Sequence, residues 1–291
     1  MLGVHGCANR GSRQGPRGPT GYVPGMPYPN FEGKHAHEAL VEPTAFLRYW
    51  VDNGTLPTDR TPPRGVVLLY QNPLFEAVVS QARITPYGPP GSRPTAFLDL
   101  HTVDDTDGTV GVIGGFGIGA PAATSVLESL CAIGVRQFVS MGAAGAMRPD
   151  LMPGDVIVCD RAVRDEGVSH HYVPSALWAE PTPALTARFH DRLEAADLAP
   201  RSGSAWTIDA PFRETVAEAE HYAGLGVAVV EMEDAALFSV AQVRGIEVAA
   251  AFAISDSLAD GEWVPHFADQ RLADSLLRMV PAAIDTLRDA G

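Results

Sequence analysis

Residues 110–121 read VGVIGGFGIGAP, an apolar run that ends in closely spaced glycines and a proline. The apolar residues predict a buried strand over 110–116, and helical periodicity follows over 121–133. Glycines let the backbone turn sharply and approach a ligand, while Pro121 suits the first turn of a helix. The stretch therefore predicts a strand, a tight glycine loop and a helix, which is the repeating unit of an α/β fold.

The same alternation of apolar runs and helical periodicity continues from residue 65 towards the C-terminus. Further strands are predicted by apolar runs at 65–70, 135–141, 155–160, 227–232 and 246–255. Helices are predicted in several of the gaps and after the last strand, at 184–195, 213–223, 233–244 and 266–289. Strands separated by helices predict a single α/β domain with a mainly parallel, twisted mixed sheet flanked by helices. Ligands in such sheets bind beyond the carboxyl ends of the strands.

Residues 1–62 differ in composition from the rest of the chain. Residues 1–30 are dense in Gly, Pro and Arg and have no apolar segment of the kind that a secretory signal requires, so they predict a disordered tail. A short helix is predicted over 43–53, and several prolines then mark a linker. We therefore divide the chain into an extension, 1–62, and a main domain, 63–291.

Composition and charge limit the classes of function. A formal net charge of -14 argues against a nucleic-acid partner, because proteins that bind nucleic acid usually show a basic face. No apolar run approaches the roughly 18–20 residues that cross a bilayer, so no membrane partner is expected. The 3 cysteines form no C-x-x-C pair, so neither disulfides nor a zinc site are predicted. We expect a soluble cytoplasmic protein.

Two histidine pairs are candidate metal ligands. His170 and His171 are adjacent in sequence, and His35 and His37 are two residues apart. Neither pair has a third ligand at a recognisable spacing, and a single pair of histidines makes a poor metal site. The sequence therefore predicts no metal and no other cofactor.

Two predicted strand ends are rich in glycine. Gly117 and Gly119 follow strand 110–116, and their N–H groups would favour an anion or the polar edge of a sugar. This loop also fits the dinucleotide-binding fingerprint, but the next strand has no acid near its end to hold a ribose hydroxyl. A Rossmann-type NAD-dependent oxidoreductase is therefore a weaker alternative. Residues 142–145, GAAG, predict a second glycine turn that could share a pocket with the first.

Two other strand ends carry acids. Glu233 follows strand 227–232 and lies one turn before Leu237, on the core side of its helix. A buried carboxylate needs a polar partner, and the adjacent hydroxyls of a sugar can bond it bidentately. The alternative is a partly solvated acid that the helix dipole favours. Asp256 follows strand 246–255, where it could donate a proton to a leaving group from a dry pocket or simply cap the next segment.

Together these motifs resemble those of the nucleoside phosphorylase superfamily, especially uridine phosphorylase and the bacterial purine enzymes. Residues 117–121, GIGAP, resemble the T-G-I-G-G-P loop of that family, and 142–145 resemble its G-T-T-G or G-T-A-G turn. Residues 163–172, VRDEGVSHHY, are similar to the uridine-phosphorylase-like branch. Residues 231–233 match the E-M-E motif, and 255–256 match the S-D of purine-cleaving members.

The resemblance covers the chain from about residue 65 to the C-terminus and implies an enzyme that cleaves the N-glycosidic bond of a nucleoside. It implies that Glu233 holds the ribose 2′- and 3′-hydroxyls, that Met232 packs against the sugar, and that Glu231 belongs to the same ribose site. It also implies that Asp256 protonates the base, at N7 if the base is a purine. The sugar would pass through an oxocarbenium-like state before an acceptor captures it.

The resemblance also implies a base site and an oligomer. Residues 206–214 occupy the region that contacts the base in these families, so Phe212 or Trp206 would stack on the base and Arg213 would bind an exocyclic oxygen. Family sites borrow residues across a dimer interface. We therefore expect a homo-oligomer, either a dimer or a trimer of dimers.

The acceptor region departs from the family pattern. The phosphorylases hold phosphate with a G-D-P-x-R motif, with an arginine before the G-T-T-G turn, and with a hydroxyl within that turn. At the first of these places this chain has YQNPLFE, residues 70–76. It has Ser140 in place of the arginine before the turn and alanines in place of the hydroxyl residue. Arg93 could substitute for the missing arginines. Related nucleosidases activate water with a glutamate near the first loop, and Glu76 is the nearest candidate here, unless it is an exposed helical glutamate. The predicted acceptor region comprises Gly117, Gly119, Gly142, Ala143, Arg93 and Glu76.

Three questions stay open at this point. Inorganic phosphate and water are both candidate acceptors: the poor phosphate ligands favour water, whereas the resemblance to the phosphorylases favours phosphate. The Ser-Asp motif favours a purine, whereas the branch with Arg-Asp-Glu-Gly includes uridine enzymes. A catalytically inactive nucleoside-binding protein is the alternative from another class, although Glu233 and Asp256 argue against it because binding alone needs no acid at the leaving group.

Overall fold

The structure is a computed structural model that describes residues 31, 33–52, 61–81, 83–87 and 99–288. The predicted tail over 1–30 and the candidate acceptor residue Arg93 lie outside the described residues. Within the described ranges, no helix is both long and apolar enough to cross a membrane.

The described elements alternate along the chain as predicted. The strands are β1 Gly65–Leu69, β2 Ile84–Pro86, β3 Leu100–Val103, β4 Val110–Ile113, β5 Gln137–Ala146, β6 Val156–Asp165, β7 Trp178–Ala179, β8 Arg201–Ile208, β9 Val227–Glu231, β10 Glu247–Ser257 and β11 Val264–Pro265. The helices are α1 Pro43–Asp52, α2 Asn72–Val79, α3 Ala120–Ile133, α4 Ser169–Tyr172, α5 Pro183–Ala195, α6 Val216–Gly224, α7 Asp234–Arg244 and α8 Gln270–Arg288. The α/β class is thereby confirmed.

All the strands belong to one mixed sheet. The strands β10, β5, β1 and β4 lie side by side and run parallel, so their carboxyl ends share one edge. The β10 strand also pairs antiparallel with β6, which continues through β8 to β9. Because β9 pairs in turn with β5, the strands β5, β10, β6, β8 and β9 form a closed ring.

The β1 strand shows why the apolar runs fold in this way. All five of its residues are buried, and successive side chains point to opposite faces of the sheet. Val66 and Leu68 join one hydrophobic core cluster, whereas Val67 and Leu69 join the other. A strand covered on both faces needs a continuous apolar sequence, and each such side chain contributes roughly 1.5–3 kcal/mol when it is fully buried.

The glycine turn predicted at 142–145 is wrong, because β5 continues through Ala146. Its last residues pair with β10 on one side, where Gly145 lies opposite Asp256, and with β9 on the other, where it lies opposite Val230. A Cβ at position 145 would lie 2.9 Å from Leu258 Cδ1 and 3.0 Å from Val230 Cγ1. The glycine there serves close packing between strands rather than a turn.

Other boundaries shift by a few residues, and one long strand was not predicted. The β10 strand extends beyond its predicted end, so Ser255 and Asp256 lie within it. The helix predicted from 213 begins at Val216, where a capping box between Thr215 and Glu218 starts it. The β8 strand is the unpredicted one, because its mixture of polar and small residues lacks a continuous apolar run.

Candidate active site

The four parallel strands place the predicted motifs along one edge of the sheet. The glycine loop follows β4, Gly142 and Ala143 lie near the end of β5, and Asp256 lies near the end of β10. Ligands bind at such an edge because the strands end there and leave backbone groups without ladder partners. This edge is the candidate active site.

The glycine loop and the E-M-E motif meet at this edge. Gly117 and Gly119 have φ angles of 92° and 93°, a region that side chains other than glycine rarely adopt. The Gly119 N–H donates a hydrogen bond of 2.5 Å to Glu233 Oε1. The Met232 Cε atom lies 4.0 Å from where a Cβ on Gly119 would be. Segments more than a hundred residues apart therefore form one surface.

Glu233 combines burial with a place at the start of a helix. Its side chain is 8% exposed, and the residue is the N-cap of α7. Burial raises its pKa to about 7, and the opposing effect of the Gly119 hydrogen bond does not cancel the increase. Near neutral pH the group can therefore exchange a proton, and its carboxylate form can accept hydrogen bonds from two hydroxyls.

Glu231 is held by the protein itself. One carboxylate oxygen accepts a hydrogen bond from the Thr207 hydroxyl. The other accepts hydrogen bonds from the N–H groups of Glu233, at 2.6 Å, and Asp234, at 2.9 Å. With both oxygens engaged, Glu231 fixes the first turn of α7, so we give it a supporting role behind the ribose site.

A buried polar network lies next to these acids, and no local sequence pattern predicts it. The Tyr70 hydroxyl lies 2.9 Å from Ser140 Oγ, which donates a hydrogen bond of 2.8 Å to Asp234 Oδ1. Asp234 Oδ2 is buried and has no hydrogen-bond partner among the described residues. Burial raises the pKa of Asp234 to about 8. Burial also raises the pKa of Tyr70 well above its usual value, and the nearby Glu233 adds to this increase.

Asp256 has two hydrogen-bond donors at the other side of the edge. Ser255 Oγ donates to Asp256 Oδ1 at 2.6 Å, and the Trp263 indole N–H donates to Oδ2 at 2.9 Å. The half-buried Glu214 lies near this carboxylate, and burial, followed by the charge of Asp256, raises the pKa of Glu214 to about 7. Neither Trp263 nor Glu214 was singled out from the sequence, because their closeness to Asp256 depends on how two distant loops meet.

The predicted base residues are separated by the structure. Phe212 and Arg213 are exposed on a 3₁₀ turn directly before Glu214, the residue whose pKa the charge of Asp256 helps to raise. Trp206 is fully buried, donates its indole N–H to Asp165 at 2.9 Å and packs against Tyr222 at a ring distance of 4.8 Å. Such a side chain has no free face for a base, so we leave Trp206 out of the proposed base site.

The stretch that resembles the uridine-phosphorylase-like branch is held by its own charged groups. The Arg164 side chain donates to Ser169 Oγ at 2.9 Å and to two backbone carbonyls in the following loop. The Glu166 carboxylate accepts hydrogen bonds from the N–H groups of Val168 and Ser169. The His170 Nε2 atom lies 3.1 Å from the Arg164 carbonyl oxygen. These contacts stabilise the loop around α4.

At the acceptor side, the phenyl ring of Phe75 stands at the position of the arginine in the G-D-P-x-R motif. Phe75 is buried against Gly114, where a Cβ would lie only 2.4 Å from Phe75 Cγ. Gly142 is buried and Ala143 is half-buried beside the end of β1. Glu76 is exposed on α2 and makes no side-chain hydrogen bond in the described part of the chain. That placement agrees with an exposed helical glutamate.

One group of side chains in the described ranges has the spacing of a metal site. His190, Asp191 and Glu194 on α5 offer ligand atoms that all lie within 4.8 Å of one another. Both acids are exposed, and α5 packs on α8, β10 and β6 rather than at the carboxyl ends of the parallel strands. This group is separate from the candidate active site.

Residues 66–285, which include every strand described above except β1's first residue, match the family model described as the phosphorylase superfamily. The chain belongs to this superfamily. The resemblance inferred from the motifs is therefore confirmed, and the superfamily assignment removes the reason to treat the Gly117–Gly119 loop as a dinucleotide site.

Similar proteins within the superfamily act on different nucleosides, according to their names. The guanosine phosphorylase of Halorubrum lacusprofundi is 28% identical over 178 residues, which cover 61% of this chain and 74% of that protein. The uridine phosphorylase of Haemophilus influenzae is 28% identical over 144 residues, which cover 45% of this chain and only 57% of that protein.

A solved structure supports the fold of this phosphorylase-superfamily chain. The crystal structure of purine nucleoside phosphorylase from Toxoplasma gondii in complex with immucillin-H has a TM-score of 0.65 and 20% sequence identity. The match covers 78% of this chain and 92% of that structure. The nucleoside phosphorylase-like fold class predicted from the sequence is confirmed.

Proposed function

We propose that this chain is an enzyme that cleaves the N-glycosidic bond of a nucleoside. The observation that carries the proposal is the hydrogen bond from the Gly119 N–H to Glu233 Oε1, which brings a buried carboxylate to the glycine loop. Membership of the phosphorylase superfamily supports it, as do relatives named as guanosine and uridine phosphorylases.

The roles of the acids follow from their surroundings. Glu233 holds the ribose hydroxyls, because a carboxylate in a buried site gains most from two hydroxyl donors. Met232 packs against the sugar beside Gly119. Asp256 protonates the base as it leaves, and its two donors, Ser255 and Trp263, keep the carboxyl group oriented.

We propose a purine nucleoside as the substrate. The Ser255-Asp256 pair supports this choice, since Asp256 can protonate N7 of a purine while Ser255 holds its other oxygen. Phe212 stacks on the base, and Arg213 binds an exocyclic oxygen at the exposed turn before Glu214. A guanosine phosphorylase among the similar proteins is in line with this choice.

We propose water as the acceptor. Phosphate carries two negative charges and is usually held by guanidinium groups. Here the Gly119 N–H bonds to the buried Glu233, and no arginine, lysine or histidine in the described ranges bonds to Glu231, Glu233 or Asp234. Water is neutral and needs no such cation to hold it.

The proposal includes a catalytic domain over 63–291 and a homo-oligomer. Trp263, which bonds to Asp256, is 61% exposed, and its ring lies 6.3 Å from that of Phe267, which is 60% exposed. Phe212, on the turn before Glu214, is fully exposed. Exposed aromatic side chains grouped in this way are typical of a surface covered by substrate or by another subunit.

The test is base release from inosine, adenosine, guanosine, uridine and methylthioadenosine, each with and without phosphate. We expect purine release without phosphate, with free ribose (or free methylthioribose) as the sugar product. Glu233→Gln and Asp256→Asn should each lose roughly 100-fold or more in kcat/KM, whereas the exposed Asp260→Asn serves as the matched control. Wild-type protein that binds a nucleoside by calorimetry without cleaving any of the panel would instead be an inactive binding protein.

A further inference from the structure

Gln71 lies at the candidate active site, between the end of β5 and the glycine loop that follows β4. It follows the end of β1 and forms the N-cap of α2. In the sheet, β1 lies between β5 and β4, and Leu69 pairs with Met141. Gln71 therefore lies beside the Gly142–Ala143 segment on one side and the glycine loop that follows β4 on the other.

The amide oxygen of Gln71 is buried and has no hydrogen-bond partner in the described part of the chain. A buried amide oxygen without a partner has lost its hydration with nothing in return, so such atoms usually have a ligand or a bound water in the working protein. The site is built closely around this amide. A Cβ on Gly142 would lie 3.5 Å from Gln71 Nε2 and 3.0 Å from Tyr70 Cδ2.

The chemistry of this atom selects the ligand. A carbonyl oxygen accepts hydrogen bonds and cannot donate them, so its partner must carry an O–H or N–H group. Water is such a partner and can donate from both of its O–H groups, whereas a phosphate dianion has one O–H group and three acceptor oxygens. If the amide group were rotated by half a turn, its N–H groups would face the ligand and could bind phosphate. An experiment therefore has to distinguish water from phosphate as the acceptor.

We infer that the Gln71 side-chain oxygen holds the acceptor water of the cleavage reaction, an inference that rests on the function proposed above. The water donates one O–H to Gln71, and its lone pair forms the new C1′–O bond as the C1′–N bond breaks. The electron pair of the broken bond leaves with the base, which takes a proton from Asp256. The attacking water releases one proton to solvent, and solvent returns one proton to Asp256, so the products are the free sugar and the neutral base.

The strand order supports this arrangement. Asp256 lies on β10 and Gln71 lies at the end of β1, with only β5 between them. Asp256 pairs with Gly145, and Leu69 pairs with Met141. Two strand spacings and an offset of about two residues along the strands therefore separate Asp256 from Gln71, which corresponds to roughly 12 Å. Enzymes that hydrolyse a glycosidic bond by direct attack of water place the acid and the water-holding group at about 6.5–9.5 Å, so that leaving group and water lie on opposite faces of the sugar. The side chains can close the remaining difference.

The experiment compares Gln71→Met and Gln71→Glu with wild type and with the exposed Gln81→Met as the matched control. Base release and the sugar product are measured with and without phosphate, and thermal unfolding checks that each variant folds. We expect Gln71→Met to lower kcat by about 10- to 100-fold while KM for the nucleoside changes little. Gln71→Glu should retain hydrolysis, with a rate that rises with pH as the new carboxylate ionises, because a carboxylate accepts the same water hydrogen bond.

The outcomes separate this inference from the proposed function. An unchanged kcat in folded Gln71→Met, or a loss that appears only in KM, overturns the role of Gln71 and leaves the cleavage activity standing. Cleavage that requires phosphate, gives only sugar 1-phosphate and is abolished in Gln71→Glu overturns water as the acceptor. No base release by wild type from any nucleoside overturns the proposed function and this inference together.

Discussion

The buried carboxyl group of Asp234 allows a direct test of the acid cluster at the start of α7. Burial and the nearby Glu233 raise its pKa from 3.8 to about 8, although the hydrogen bond from Ser140 opposes the change. Because the folded protein binds this proton more tightly than the unfolded chain, the contribution to stability is complete at pH values below about 4. It is lost as the pH rises through about 8.

The expected effect follows from linkage. Between pH 5 and pH 8 the unfolded chain has released this proton while most of the folded protein retains it, so this group alone lowers the free energy of unfolding by roughly 1 kcal/mol per pH unit. The total is about 4 kcal/mol over this interval. Asp234→Asn has no proton to lose at this position and keeps an oxygen for Ser140. Between pH 5 and pH 8, the free energy of unfolding of this variant should therefore fall by about 4 kcal/mol less than that of the wild type.

The assay is urea unfolding at pH 5, 6, 7 and 8, at one fixed protein concentration because assembly would couple to stability. Asp260→Asn is the control, since its carboxylate is exposed and makes no side-chain hydrogen bond in the described ranges. We expect the wild-type and Asp234→Asn curves to converge towards acidic pH and to diverge towards pH 8. Parallel curves across the whole range would refute the placement of a protonated carboxyl group in this network.

Three further substitutions test the packing and the hydrogen bonds of the site. Gly114→Ala should destabilise the protein by about 1–3 kcal/mol in urea unfolding, because the new Cβ would lie 2.4 Å from Phe75 Cγ. Thr207→Val should cost about 1–3 kcal/mol in the same assay, because its hydroxyl holds both a buried carboxylate and the first turn of α7. Trp263→Phe should lower kcat about 10-fold with little change in thermal unfolding, because it removes an N–H donor from Asp256. An unchanged kcat in that variant would contradict the orienting role of the indole.

The apolar runs made most of the sheet predictable, because parallel strands covered on both faces need continuous hydrophobic sequence. The β1 and β10 strands are examples, and the glycine loop after β4 follows from its sequence in the same way. Glu233 was predicted on the core side of its helix, and the structure buries it. The burial of a charged residue beside a glycine loop could be anticipated because both features lie at strand ends.

Other features depend on contacts that no local pattern contains. The β8 strand has the sequence RSGSAWTI, and its polar residues interrupt the apolar run that would have predicted a strand. In the structure it pairs with β6 and β9 as part of the closed ring. Trp206 has a large aromatic ring that could stack on a base, yet the residue is fully buried and its indole N–H bonds to Asp165. The network of Tyr70, Ser140 and Asp234 joins residues that are 70 and 94 positions apart in sequence. It therefore depends on how the strands pair in the folded protein, which no local sequence pattern contains.

The two residues that stand in place of family arginines at the acceptor side, Ser140 and Phe75, are each held by close packing or hydrogen bonds. Ser140, at the position of an arginine in that pattern, is 1% exposed, and its hydroxyl is enclosed between Tyr70 and Asp234. Phe75, at the position of the arginine of the G-D-P-x-R motif, packs tightly against Gly114. An arginine introduced at position 140 alone would meet occupied volume on both sides of Ser140, although the buried acid would attract its charge. The packing around Phe75 and the hydrogen bonds of Ser140 thus oppose the return of a single arginine at either position, which supports our proposal of a neutral acceptor.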